Sequence, residues 1–385
     1  MKRTALWTTL FALIVAAVLG AADRKDNPEP AVPAAREALP AVKAQPVVEV
    51  AFVLDTTGSM SGLISAAKEK IWHIANQIVL GQPKPKVRIA LVPYRDKGDE
   101  YVTKVFDLTD NLDQVYTDLM TFRADGGGDG PENVNQALHD AVHKLSWSQD
   151  RKTLRLIYLV GDYPPHNEYT DVPTYDKTAA AAVQKGIYIN AVLCGGNTDT
   201  AKVWKEIADA AEGYFLTVEQ SGGVTHIATP YDKELAKLNA ELVSTAVAYG
   251  DRKERAAQEK LNDGAKKYDA PAAAESASYR VSAGEVASND LVSDVQTGKV
   301  DVAKLEKDKL PENMQKMTAE ERKQYVADQQ QRREKVAAQI KDLSAKRNEH
   351  VRKQMEQTKG AKDGFDQQVP DSLKTQAAKV NVEYK

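Results

Sequence analysis

From residue 47 onward the chain alternates two patterns of hydrophobic positions. Near-continuous apolar, β-branched runs at 47–54, 87–92, 154–160 and 187–193 read as strands buried on both faces, with shorter ones at 104–108 and 214–218. Between them lie stretches with helical spacing. Residues 61–79 align Leu63, Ile64, Ala67, Ile71 and Ile74, and residues 131–147 align Val134, Ala137, Leu138, Ala141, Val142 and Leu145. Two further helices are expected at 174–185 and 201–211. Hydrophobic strands joined by helices predict an α/β fold: a doubly wound, mostly parallel sheet with helices on both faces. Right-handed crossovers gather the loops after the strands at one edge, where such sheets bind ligands. Asp55 directly follows the first strand, Asp96 closely follows the second and Asp162 follows the central one.

Beyond residue 230 the strand-like runs stop, and Lys, Glu, Gln and Ala dominate. Residues 231–385 are expected to form a charged, mainly α-helical and partly disordered C-terminal region. One or two helices fit 232–267, the Ala/Ser-rich stretch 268–295 reads as irregular, and a long helix follows the capping box Thr318-x-x-Glu321. The weak apolar stripe of that helix (Val326, Ala337, Ile340, Leu343, Val351) points to packing against another helix, as in a coiled coil. Self-association through these helices is a further expectation.

The N-terminal residues bear on compartment. Lys2 and Arg3 precede a charge-free apolar run at 5–19, and Gly20-Ala21-Ala22 supplies small residues for cleavage. Residues 1–22 therefore read as a signal peptide of an exported, periplasmic bacterial protein, with secretion or an N-terminal anchor as alternatives. Residues 23–45, rich in Pro and Ala, read as a linker to a domain spanning 46–230. After cleavage no segment is long and apolar enough to span a membrane. The 385 residues hold 52 Lys and Arg against 55 Asp and Glu, so no basic surplus argues for nucleic acid. The single Cys194 closes an apolar strand, which excludes an internal disulfide and suggests a buried, inert thiol.

The chemistry concentrates in Asp55-x-Thr57-Gly58-Ser59-Met60. A strand delivers a carboxylate to the sheet edge, and the turn that follows presents two hydroxyls on the same side. Such oxygens suit a hard cation: Mg²⁺ first, with Mn²⁺ or Ca²⁺ as alternatives. Asp55 would act through bound water, with Thr57 and Ser59 as direct donors.

This stretch resembles the metal-ion-dependent adhesion site of von Willebrand factor A domains, whose first segment reads Asp-x-Ser-x-Ser. Thr57 keeps the hydroxyl of the first Ser. The Gly126-Gly127-Gly128-Asp129-Gly130-Pro131-Glu132 loop resembles a variant in hemicentin-like and alpha-kinase-linked members, and so does the Tyr94-Arg95-Asp96 turn. Most family members place a Thr in the Gly-rich loop. Either Asp129 or Glu132 takes its place here, with Asp129 favoured. Asp162 matches the acidic residue of the third ligand loop. The resemblance implies a protein-binding module in which a partner's exposed Asp or Glu completes the coordination of the cation.

The alternative is a metal-dependent hydrolase or a subunit of an envelope enzyme complex. No convincing catalytic set supports it. His166 is the one base near Asp162, and it reads as a surface loop residue. His139 and His143 share a helix face but lack a third zinc ligand. Residues 125–136 miss two ligand positions of a calcium loop, Met60 stands where a nucleophile elbow needs Ser, and no phosphate-cradling Gly-Lys loop occurs.

Overall fold

The computed structural model describes residues 45–128, 130–221, 223, 227–357 and 364–384. The expected signal peptide and all but the end of the linker lie outside the described residues.

Six strands form one sheet: β1 (Val47–Asp55), β2 (Lys86–Tyr94), β3 (Phe106–Thr109), β4 (Thr153–Gly161), β5 (Ile187–Cys194) and β6 (Phe215–Val218). Their order is β3-β2-β1-β4-β5-β6, and only β3 runs antiparallel to its neighbour. β1 is central, pairing Val47 with Lys86 of β2 and with Thr153 of β4. Its side chains divide by the two-residue period of a strand. Val48, Val50, Phe52 and Leu54 pack under α1 (Ser61–Val79) and α2 (Leu112–Met120). Ala51 and Val53 pack on α3 (Val134–Lys144), α4 (Tyr175–Gln184) and α5 (Thr198–Ala210). Both faces are covered, which accounts for strands with almost no polar position. Cys194 is buried at the end of β5, as its apolar setting suggested.

Helix α2 has no counterpart in the sequence reading. Asn111 caps it by accepting from the Gln114 amide at 3.2 Å, and Val115, Tyr116 and Leu119 are buried. Helix α3 begins three residues later than expected because Asn133 caps it, its side chain accepting from the Gln136 amide. Glu132 is thereby left in the loop.

Past residue 231 come α6 (Asp232–Ser244), α7 (Arg252–Ala265), α8 (Ala270–Ala283), α9 (Leu291–Gln296), α10 (Ala319–Gln357) and α11 (Phe365–Ala377). The irregular stretch expected at 268–295 is instead α8 and α9. Asp269 caps α8 on the Ala272 amide, Pro271 lies in its first turn, and buried Ala272, Ala273, Ala274 and Ala277 combine high helix propensity with close packing. The capping box of α10 forms as read, and Val326, Val336 and Ile340 are buried on its inner face. Arg333 and Arg347 share that face. Arg333 meets Asp290 at 2.7 Å, and Arg347 meets Asp232 at 2.7 Å and Glu275 at 2.6 Å.

Helix α11 returns to the sheet. The Tyr158 hydroxyl donates to the Val369 carbonyl at 3.0 Å, and Asn190 and Gln376 exchange amide hydrogen bonds at 2.9 and 3.0 Å. Val369, Leu373, Ala377 and Val382 thus join the core beneath β1 and α1.

Candidate metal centre

The strand order reverses beside β1: β2 and β3 lie to one side, β4 to β6 to the other. The crevice at the carboxyl ends of β1 and β4 is the topological switch point, where doubly wound sheets bind ligands.

β1 ends on Asp55, which is fully buried. Its Oδ1 accepts from the Thr57 backbone amide at 2.8 Å and from the Thr57 hydroxyl at 2.7 Å. A 3-10 turn, Gly58–Met60, then leads into α1 and sets the Ser59 hydroxyl 3.4 Å from that of Thr57. The carboxylate and both hydroxyls of the motif therefore cluster. Thr57 is buried and Ser59 is exposed, so the cluster opens outward through Ser59.

β4 ends on Gly161, and Asp162 follows. Asp162 is buried, and its Oδ2 accepts from the Gln220 side-chain amide at 2.8 Å. The second oxygens of both carboxylates, Asp55 Oδ2 and Asp162 Oδ1, are buried without a hydrogen-bond partner. Burial pushes the Asp55 carboxyl up to about 7, the Thr57 hydrogen bonds pull it down, and the charge of Asp162 adds to the rise.

Glu132 completes the acidic wall. Its backbone is clamped between the Pro164 carbonyl and the His166 amide at 3.1 Å each, and its Oε2 is buried without a partner. Burial, then the charges of Asp55, Asp96, Asp99 and Asp162, push its carboxyl up to about 9. The Gly-rich loop is held from below, the Gly127 amide donating to Asp99 Oδ2 at 3.0 Å and the Gly58 amide to the Gly126 carbonyl at 3.2 Å.

Asp55, Thr57, Ser59, Asp162 and Glu132 are thus brought to one crevice, while Asp129 lies outside the described residues. Among the described residues no three His, Cys, Asp or Glu side chains form a metal-binding group by themselves. A cation here would lean on the hydroxyls of Thr57 and Ser59, with the carboxylates supplying charge from behind. Buried anions with unpartnered oxygens are costly, and a divalent cation offsets that cost, so the residues present fit the group.

Sequence reasoning missed Asp99 and Gln220, which belong to no motif. It also misplaced His166, expected on the surface. The residue is buried, with Nε2 at 3.4 Å from Asp96 Oδ2, Nδ1 at 2.6 Å from Glu168, and its ring stacked on Tyr169. His139 and His143 sit 4.6 Å apart at the protein boundary, as expected for ordinary histidines.

A doubly wound domain with hydroxyls and carboxylates converging at its switch point defines the class. Residues 49–229 match the family model for the von Willebrand factor A domain, and the chain carries such a domain there. The chain is 40% identical over 97 residues to the human von Willebrand factor A domain-containing protein 7, an overlap of 25% of this chain and 10% of that protein. It is 28% identical over 124 residues to an ariadne-like RING finger protein of Acanthamoeba polyphaga mimivirus, covering 32% of this chain and 12% of that one. The chain therefore spans about a tenth of the length of the curated relatives it matches. The crystal structure of the SpRpn10 VWA domain aligns with a TM-score of 0.36 and 13% identity, over 46% of this chain and 89% of that one. Among the described residues no helix is long and apolar enough to cross a membrane.

Proposed function

We propose that the domain at 46–230 captures a protein partner through a divalent cation, Mg²⁺ foremost, with Mn²⁺ or Ca²⁺ as substitutes. Thr57 and Ser59 would hold it directly, Asp55 would act through water, Asp162 would offer its unpartnered Oδ1, and Asp129 or Glu132 would serve from the Gly-rich loop. An exposed Asp or Glu of the partner completes the shell. The observation that carries this reading is the pair of buried, unpartnered oxygens, Asp55 Oδ2 and Asp162 Oδ1, beside the two hydroxyls. Export to the periplasm remains part of the proposal and rests on residues 1–22.

A hydrolase is less well supported. His166, the base that reading would need, is engaged by Asp96 and Glu168 through its two ring nitrogens. Self-association through the apolar stripe of α10 is not part of the proposal, because its Ile340 and Leu343 pack with residues of α6 and α8 and its Val326 packs with those of α9.

The test is capture of a partner from an envelope extract by immobilised protein, in Mg²⁺ and in EDTA, with wild type and Asp55→Ala. The proposal requires a partner retained only by wild type in Mg²⁺. Capture that persists in EDTA contradicts it.

A further inference from the structure

Two residues past β6, the Gln220 side chain touches two of the ligand-bearing loops. Gln220 Nε2 donates to Asp162 Oδ2 at 2.8 Å and lies 3.4 Å from the Ser59 carbonyl and 3.9 Å from Met60 Sδ. The fold makes room for this amide. A Cβ on Gly195, at φ +81, would lie 2.4 Å from Gln220 Oε1, and one on Gly62 would lie 2.9 Å from Ser221 Cα. The Gly195 amide also donates to the Val218 carbonyl at 2.9 Å, fixing the end of β6 from which Gln220 projects.

The consequence for Asp162 is specific. With Oδ2 committed to Gln220, the carboxylate cannot rotate freely, and the buried, unpartnered Oδ1 is the oxygen left for the crevice. The donor is neutral. A cationic side chain there would orient Asp162 equally well while cancelling the charge that attracts a cation.

We infer that Gln220 is a positioning residue for the cation site: it presents Asp162 through one oxygen and thereby favours a small, geometrically demanding cation over a larger, adaptable one. Mg²⁺ requires near-ideal octahedral placement, whereas Ca²⁺ accepts mobile and bidentate carboxylates. Partners that orient metal-site groups from behind commonly contribute 10–100-fold to metal affinity. The inference rests on the cation reading of the preceding section.

The experiment is calorimetric titration of MgCl₂ and CaCl₂ into the chelator-stripped full chain, for wild type, Gln220→Ala and Gln220→Lys. Gln220→Ala should weaken Mg²⁺ binding by about 10-fold or more and Ca²⁺ binding by less, changing the ratio of the two affinities. Gln220→Lys should keep the chelated melting temperature near wild type, because Lys still donates to Asp162, yet lose Mg²⁺ binding altogether. If Gln220→Ala binds both ions as wild type does, or loses both by the same factor, Gln220 has no positioning role and only this inference falls. Retained Mg²⁺ binding by Gln220→Lys overturns it as well. If wild type itself gives no saturable heat with Mg²⁺, the cation reading fails and this inference fails with it.

Discussion

Replacing Asp55 by Asn should separate what the residue does for function from what it costs the fold. In the metal-free protein the carboxyl is raised from 3.8 to about 7 by burial, tempered by Thr57 and reinforced by Asp162. A raised folded value means the folded state holds the proton more tightly than the unfolded chain. The associated stability is present below about pH 4 and is lost as pH rises through about 7. About three pKa units at 1.36 kcal/mol each put that loss near 4 kcal/mol. Asn cannot ionise, and its carbonyl can accept the same two Thr57 hydrogen bonds. Its NH₂ would occupy the unpartnered Oδ2 position at a cost of about 1–3 kcal/mol. The net expectation in EDTA at pH 8 is a variant more stable than wild type by about 1–3 kcal/mol, with the advantage gone at pH 5. The charge of Asp55 also helps to raise Glu132, so its removal eases Glu132 as well and adds to the variant's advantage at pH 8. Urea unfolding in EDTA at the two pH values reads the difference. A variant less stable than wild type at pH 8, or an advantage that does not depend on pH, rules out this role for the Asp55 carboxyl.

Three further outcomes follow from the same geometry. Mg²⁺ at 100 times its dissociation constant should stabilise wild type by about 2.7 kcal/mol, seen as a higher melting temperature, and Thr57→Val should abolish that response while losing about 1–3 kcal/mol in EDTA through the missing hydrogen bond to Asp55. Gly161→Ala would place a Cβ 2.4 Å from the Tyr94 hydroxyl and 3.1 Å from the Trp204 ring, so a loss of about 1–3 kcal/mol is expected in its urea midpoint. Arg347→Ala strips the cation from buried Asp232 and half-buried Glu275 and should cost about 3–5 kcal/mol at neutral pH. Burial alone would raise the Glu275 carboxyl, but His73 and Arg347 hold it well below the usual carboxylate range. That stability is present above the ordinary Glu value and lost on acidification, so the gap between variant and wild type should narrow as pH falls.

The parts of the molecule legible in the sequence are those where one local pattern suffices. β1, β4 and β5 are buried on both faces and read as unbroken apolar runs, and a carboxylate directly after such a run lands at the sheet edge. Asp55 and Asp162 were therefore visible, and so were the hydroxyls two and four residues past Asp55. Contacts between distant segments were not. Gln220 meets Asp162 across 58 residues, and Asp99 holds Gly127 across 28. Helix α8 was hidden because its buried face is Ala rather than Leu or Val. The return of α11 left one trace, the polar Asn190 inside an apolar strand, which signals a partner without naming Gln376. His166 looked like a loop histidine because burial against Tyr169 and Asp96 arises only from the tertiary fold.

The proposed capture depends on a divalent cation between the Thr57 and Ser59 hydroxyls, in front of Asp55 and Asp162. Crystals of the full chain grown with MnCl₂, measured at a wavelength where manganese scatters anomalously, test it most directly. An anomalous peak is expected at bonding distance from both hydroxyls, absent in Asp55→Ala crystals. A peak elsewhere, or a crevice without one at saturating Mn²⁺, contradicts it.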